Sequence, residues 1–437
     1  FRMKSGWRRY WRCIAGAGLL LMALATSAAT FDMAGETPRL RRFGAAEGLP
    51  SRMVLALAED RSGHIWAATD GGLVRYDGGT LRVWQHDPEQ PGSLPGNEIE
   101  TLLVDPLDRV WVGINGKGVA RLDADRERFT SFDALNNECQ GQVWTLAYAE
   151  EALWVGSSTH GVCRFGEDGS LRFFRQAPGG LPSDTIYSSL VDAQGRLWLG
   201  TEAGLARWNG TAFEAVAARE LRAVSVLRLS RDAEGAIWIG TQNDGLYRID
   251  AQDRVSRPRW ADSAQLRSAM VLADRQGGYW AGTSDGLLRG DASQLRRLEG
   301  DRGSGFLTSH SGVLDLLQDH EGGMWVALLT QGLAYLPPDW RRFSTWYQLD
   351  GRPLDSQYLL SAASDGRNYF VGSAHGVYQI NAQGTLSLLA SDRELGSGAV
   401  WSVLPRPDGR LWLGRAGRLS VYDPARRTLR DWPIAGG

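Results

Sequence analysis

At 437 residues with a formal net charge of -2, the chain is long enough for several ordinary domains or one large repeat array, and it has no bulk charge to draw it to nucleic acid or an anionic membrane. Hydrophobic residues make up 43% and charged residues 22%, which excludes a disordered polypeptide. Of 48 basic residues only Lys4 and Lys117 are lysines, a bias we read as genomic composition and not as a binding signal.

The first residues have the layout of an export signal. Lys4, Arg8, Arg9 and Arg12 precede an apolar run from Ile14 to Ala25, too short for the ~20 residues that span a bilayer as a helix. Ser27, Ala28 and Ala29 offer a small-residue cleavage site. Residues 1–29 therefore read as a signal peptide, with a mature periplasmic chain from about Thr30. An uncleaved anchor is the competing reading. After cleavage Cys139 and Cys163 remain. An exported location permits a disulfide between them, and two separate thiols are the alternative. No paired CxxC or HExxH spacing suggests a metal, and no cofactor is expected.

From Glu59 onward one phrase recurs. Its fullest copies are DAQGRLWLGTEAGLARWNG at Asp192 and DAEGAIWIGTQNDGLYRID at Asp232. Nine copies are anchored by Trp66, Trp111, Trp154, Trp198, Trp238, Trp280, Trp325, Phe370 and Trp412, spaced 40 to 45 residues apart. That period, with its tryptophan and glycine signature, points to an all-β fold, a β-propeller of four-stranded blades. In the fourth copy Ile186–Val191 reads as the innermost strand. A tight turn follows, with Asp192 capping it and Gly195 taking the left-handed conformation. Arg196–Thr201 and Leu205–Gly210 are the next two strands, and the less regular Ala212–Val216 is the outer one. The anchors read as structural, each filling an interface between blades, with Gly or Ala two residues on allowing close approach.

The segments PRLRRF (38–43) and PDWRRF (338–343) both look like outer strands that feed the next blade. If the first pairs back onto the seventh blade, residues 38–337 close as a seven-bladed ring, and residues 338–437 hold the first two blades of a second propeller. A nine-bladed ring is disfavoured, because propellers usually have four to eight blades.

The pattern GLPS, a strand, D-x-x-G-x-hydrophobic-W-hydrophobic-G-T and G-hydrophobic-x-R resembles the two-component regulator propeller family. GLPS stands at Gly48–Ser51 and GLPSD at Gly180–Asp184. The third, eighth and ninth copies depart from the pattern. The resemblance implies a periplasmic sensor propeller of a membrane-bound histidine kinase or diguanylate cyclase, continuing into a membrane helix and a cytoplasmic output module, with room for a homodimer. It implies no catalysis by this segment.

A similar seven-bladed ring occurs in virginiamycin B lyase, so a free-standing exported lyase or a protein-docking module is the alternative. No G-x-S-x-G elbow is present. Gly113–Gly118 lacks the spacing and hydroxyl of a phosphate loop. A ligand would meet the mouth of the channel, where the turns between second and third strands bring Asp70, Asn115, Lys117, His160, Glu202, Asn243, Asp244, Asp285 and Gln331. The linkers leading into the inner strands add Arg52, Asn97, Asp184 and His310. Such a ring suits a small polar solute of the sugar or peptide class.

Overall fold

The computed structural model describes residues 40–434 except 133–134, 136–138, 140–141, 233, 259–265, 267–269, 276, 292–293, 299–311, 341–347, 350–351, 354–358, 383–384 and 397. The proposed signal peptide and His310 lie outside the described residues.

Each repeat folds as one four-stranded antiparallel sheet. In blade 1 the strands are Val54–Glu59, Ile65–Thr69, Gly72–Tyr76 and Leu81–Trp84. Hydrogen bonds set the two turns. Asp60 Oδ1 accepts from the backbone N–H of Ser62 and of His64, each at 3.0 Å, while Gly63 between them takes φ 81°, open to glycine. At the other end Thr69 Oγ1 donates to the Gly72 carbonyl at 2.7 Å and so fixes the Asp70–Gly71 turn.

Seven inner strands form a circle: Val54–Glu59, Ile99–Val104, Val143–Ala149, Ile186–Val191, Val226–Arg231, Met270–Ala273 and Val313–Gln318. Each touches the next, and the seventh touches the first. Blade 7 takes its outer strand from the other end of the domain. Arg41–Phe43 pairs antiparallel with Gly332–Leu336, with Phe43 opposite Leu333. The ring thus closes with no sheet edge left between its first and last blades.

The anchor tryptophans sit at the blade interfaces. Trp66 packs against Ile99 and Val112 of blade 2, Trp198 against Val226 and Ile239 of blade 5, and Trp325 against Val54 and Ala67 of blade 1. Burying such a ring contributes several kcal/mol at each interface, at roughly 25 cal/mol per Å². The small residue two positions on is needed for this approach. A Cβ on Gly113 would stand 2.6 Å from Thr101 Cγ2 and 2.8 Å from Val143 Cγ1 of the next blade.

A buried indole N–H needs an acceptor, and the turn aspartate provides one. Trp Nε1 donates to the carboxylate six residues earlier in six blades: Trp66 to Asp60 at 2.9 Å, Trp111 to Asp105 at 2.8 Å, Trp198 to Asp192 at 2.8 Å, Trp238 to Asp232 at 3.1 Å, Trp280 to Asp274 at 3.2 Å and Trp325 to Asp319 at 2.9 Å. Burial pushes the Asp192 carboxyl up, but the Trp198 indole and the N–H and guanidinium of Arg196 outweigh it and hold it below the usual range. The motif's arginine completes the unit. Arg207 is the cross-strand partner of Trp198 and lies over its ring, 5.1 Å from the centroid. Arg289 does the same to Trp280 at 4.6 Å.

Blade 3 lacks the aspartate. Trp154 donates instead to the Ala149 carbonyl at 3.1 Å, and a disulfide ties Cys139, ahead of this blade, to Cys163 on its third strand. Trp340, placed by the sequence at the opening of a second propeller, packs into the ring with Trp280, Leu298 and Leu336. Blades 8 and 9 pack on each other through Phe370, Val377, Val400 and Leu413. Phe370 has no N–H to donate, and Arg406 occupies the aspartate position six residues before Trp412. Among the described residues, seven of the ten exposed large apolar side chains fall on or just beyond these two blades, Tyr369 and Trp401 each at 59% exposure, so their outer faces resemble the buried faces of ring blades.

Replacing Asp192 by Ala should cost about 2–3 kcal/mol in urea unfolding of the ring, because it strands the Trp198 N–H. Asp70→Ala, in an exposed turn, should stay within about 0.5 kcal/mol. Equal effects would remove the assigned role of the Asp–Trp pair. Replacing Cys139 and Cys163 by Ser together should cost roughly 3 kcal/mol, from the 24-residue separation that the bridge closes, and an unchanged melting temperature would show that the bridge adds nothing.

Candidate functional site

Six of the seven inner strands share a local irregularity. Their register slips between Val54 and Ala56, Ile99 and Thr101, Val143 and Thr145, Ile186 and Ser188, Val226 and Arg228, and Val313 and Asp315. A β-bulge adds one residue opposite a single partner and re-aims side chains. Here it brings second and third positions of the strands to the central channel together. They line a cavity of about 380 Å³, with Glu100, Thr101, Trp144, Thr145, Tyr187, Ser188, Arg228, Met270 and Asp315 on its wall.

Three of these side chains carry charge. Arg228, on blade 5, reaches the Leu227 and Leu314 carbonyls only at 3.4 Å each. Asp315, on blade 7, accepts from the Leu57 N–H at 2.7 Å and from the Leu316 N–H at 2.9 Å. Burial pushes its carboxyl up to about 6, although both N–H groups and the positive field of Arg228 pull the other way. Glu100, on blade 2, is raised by burial and then by the neighbouring Glu98. Water reaches all three through the channel, so none is sealed off. On blades 3 and 4, Trp144 and Tyr187 stack with ring centroids 5.2 Å apart and planes 9° from parallel. The cavity therefore has a charged side and an aromatic wall.

The mouth expected from the sequence lies a few residues above this cavity, since Val54 pairs with Thr69, next to the Asp70 turn. Asp70, Lys117, Glu202, Asn243, Asp244 and Asp285 are exposed there, as is Arg52. Others hold the loops in shape. Asn97 Oδ1 accepts from the His86 N–H at 2.6 Å, Asp184 Oδ1 from the Gln176 N–H at 2.7 Å, and His160 Nδ1 meets Thr159 Oγ1 at 2.7 Å. Asn115 donates to Glu98 at 2.8 Å and accepts from Gln142 at 3.1 Å. Gln331 is half-buried at the blade 7 turn. The rim residues are thus spread around the mouth and are not brought into one cluster.

Sequence reasoning missed Glu100, Trp144, Tyr187, Arg228 and Asp315. The available signal was a charge or a large aromatic at the second or third position of strands otherwise made of Val, Leu and Ile, as in IETLLV and VLDLLQ. Among the described residues no group of three His, Cys, Asp or Glu side chains could hold a metal, and no helix is long and apolar enough to cross a membrane.

Ring closure, blade order and the channel cavity define the chain as a β-propeller with a seven-bladed ring. The model of the family described as two component regulator propeller matches residues 48–71 and 180–203. No curated protein matches the chain in sequence. Among solved structures, the extracellular domain assigned to hybrid two component system BT3049 of B. thetaiotaomicron is similar over 91% of this chain and 55% of its own, at 20% identity and TM-score 0.71. That assigned to BT4673 of the same organism is similar over 90% and 53%, at 19% identity and TM-score 0.57. The chain thus spans about half the length of these two structures. The virginiamycin B lyase of Staphylococcus aureus is similar over 68% of this chain and 99% of its own, at 10% identity and TM-score 0.55. These likenesses establish the shared fold.

The raised Asp315 has a stability consequence. Its folded pKa, about 6, lies above the unfolded value near 3.9, so its contribution is complete below about pH 4 and is lost as pH rises through about 6, by up to roughly 3 kcal/mol. Asp315→Asn should flatten the decline of the urea midpoint over that window. An equally steep decline in the variant would place the responsible group elsewhere.

Proposed function

We propose that this chain is the extracytoplasmic input region of a bacterial transmembrane signalling protein, and that its seven-bladed ring admits a small polar solute to the central channel. The observation that carries the binding reading is the cavity itself: a bulge in the inner strands turns Glu100, Arg228 and Asp315 toward a channel that is also lined by Trp144, Tyr187 and Met270, and a few convergent polar groups beside aromatic and apolar side chains in a concavity are what solute sites are made of. The family repeats and the fold shared with extracellular domains of two-component systems support the signalling reading. Rim residues such as Asp70, Lys117 and Glu202 would meet the solute on its way in.

The leader at residues 1–29 would export the chain, and a continuation would lead through a membrane helix to a histidine kinase or diguanylate cyclase. Further blades of the second propeller would cover the apolar faces around Tyr369 and Trp401. Solute in the channel would bias the packing of the ring against those blades between two arrangements that the membrane segment could read. No residue of this chain is assigned a catalytic role, and no cofactor is required. The alternative of a lyase draws less support, because a proton-transferring His with acid or base partners in reach is expected of it, and the described residues on the channel wall include no histidine.

A thermal-shift screen of polar solutes against the purified chain, followed by calorimetry on the hits, tests the reading. Arg228→Met should weaken a hit by about tenfold or more, and Lys117→Ala by less than about threefold. The reverse ranking would move the site to the rim, and binding insensitive to both would remove it from this face of the ring.

A further inference from the structure

The three charges of the channel are not arranged as a structural ion pair would be. Among the described residues Arg228 has no ion-pair partner, although it feels the field of Asp315. Its five N–H donors meet only two carbonyls, both at 3.4 Å, the long limit of a hydrogen bond. Asp315 is held by two backbone N–H groups, which leaves acceptor capacity on both oxygens. Ser188 is 8% exposed and lines the same cavity, yet its hydroxyl has no hydrogen-bond partner. A cation and a carboxylate thus face one small space without pairing with one another.

A ligand that displaces the channel water must itself partner these groups, because leaving either charge desolvated and unpaired costs free energy. A neutral solute leaves the guanidinium uncompensated. An anion alone satisfies Arg228 but is repelled by Asp315 and Glu100. A cation alone has the opposite fault. A molecule carrying both charges a few ångströms apart answers both sides, and the flat Trp144–Tyr187 pair gives its remaining part an apolar surface.

Resting on the channel reading above, we propose that the solute is a zwitterionic amino acid with an apolar or aromatic side chain, its carboxylate on Arg228, its ammonium toward Asp315 and Glu100, and its side chain against Trp144 and Tyr187. The arrangement carries a proton signature. Asp315 is poised near pH 6; the other charged groups on the cavity wall are Arg228 and Glu100. An ammonium beside the Asp315 carboxyl favours its ionised form, so a zwitterion releases a proton when it binds near that pH. A bare carboxylate favours the protonated form and takes a proton up.

Calorimetry of the purified chain near pH 6, in two buffers of different ionisation enthalpy, reads affinity and proton count together. The probes are L-phenylalanine, hydrocinnamate, which lacks the ammonium, and phenethylamine, which lacks the carboxylate. L-phenylalanine should bind roughly 10- to 100-fold more tightly than either and should release a proton, whereas hydrocinnamate should take one up. Arg228→Met should bring L-phenylalanine down to phenethylamine, and Asp315→Asn should bring it down to hydrocinnamate. The analogue series on the unaltered chain stands if a variant does not fold. Equal affinities across the three probes, or no binding of any standard amino acid at about 10 mM, would overturn the proposal. If glucose bound in their place with sensitivity to Arg228→Met, the amino acid assignment would fall and the channel site would stand. If no bound solute were sensitive to Arg228→Met, the channel site would fall as well.

Discussion

The hydrogen bond from a buried tryptophan to a turn aspartate six residues earlier is the contact on which the ring is built. It lets a large apolar ring be buried between blades without stranding its N–H, and it ties the turn between the first two strands to the sheet face that meets the next blade. The arginine opposite on the third strand covers the same ring. Where the aspartate is missing, as in blade 3, a carbonyl and a disulfide stand in. Where both aspartate and arginine are missing, as in blades 8 and 9, the sheets keep their strands and leave apolar faces open.

This division of labour confines chemistry to the channel. The residues that define the repeat are consumed by turns and interfaces: Asp192 by Trp198, Thr201 by its turn, Gly113 by the close approach of Val143. The positions left free to vary are those that the inner-strand bulge turns toward the axis. Six blades of the ring use this bulge, and between them they place a cation, two carboxylates, two aromatics and small hydroxyls around one cavity. The scaffold is repetitive, and its site is assembled from the positions that do not repeat.

Much of the fold was legible in the sequence because period and turn chemistry are local. The tryptophan spacing gave nine sheets, the D-x-x-G run gave the turns, and Arg41–Phe43 was identifiable as a closing strand from its likeness to the segment after blade 7. The role of the motif arginine was not legible: Arg207 and Arg289 stand in the repeated pattern, but their cross-strand partners are invisible without the register. For the candidate site, the sequence pointed to the rim, one level above the cavity. The rim follows from topology alone, whereas the cavity depends on a bulge that shifts two side chains by one position, and no local residue preference announces that shift. Trp340 was misplaced for a similar reason, since its packing partner Trp280 lies far away along the chain.

A solute site in the channel requires Asp315 and Arg228 to face it as separate charges that do not pair with each other. The most direct measurement is the titration of the Asp315 carboxyl carbon by NMR in selectively labelled, solute-free protein. A midpoint near 6, falling when Leu57 and Leu316 keep their N–H bonds and a cationic solute is added, is the predicted result. A midpoint at or below the ordinary aspartate range in the solute-free chain would mean that Arg228 already neutralises it, and the channel would then be a structural ion pair with no site to fill.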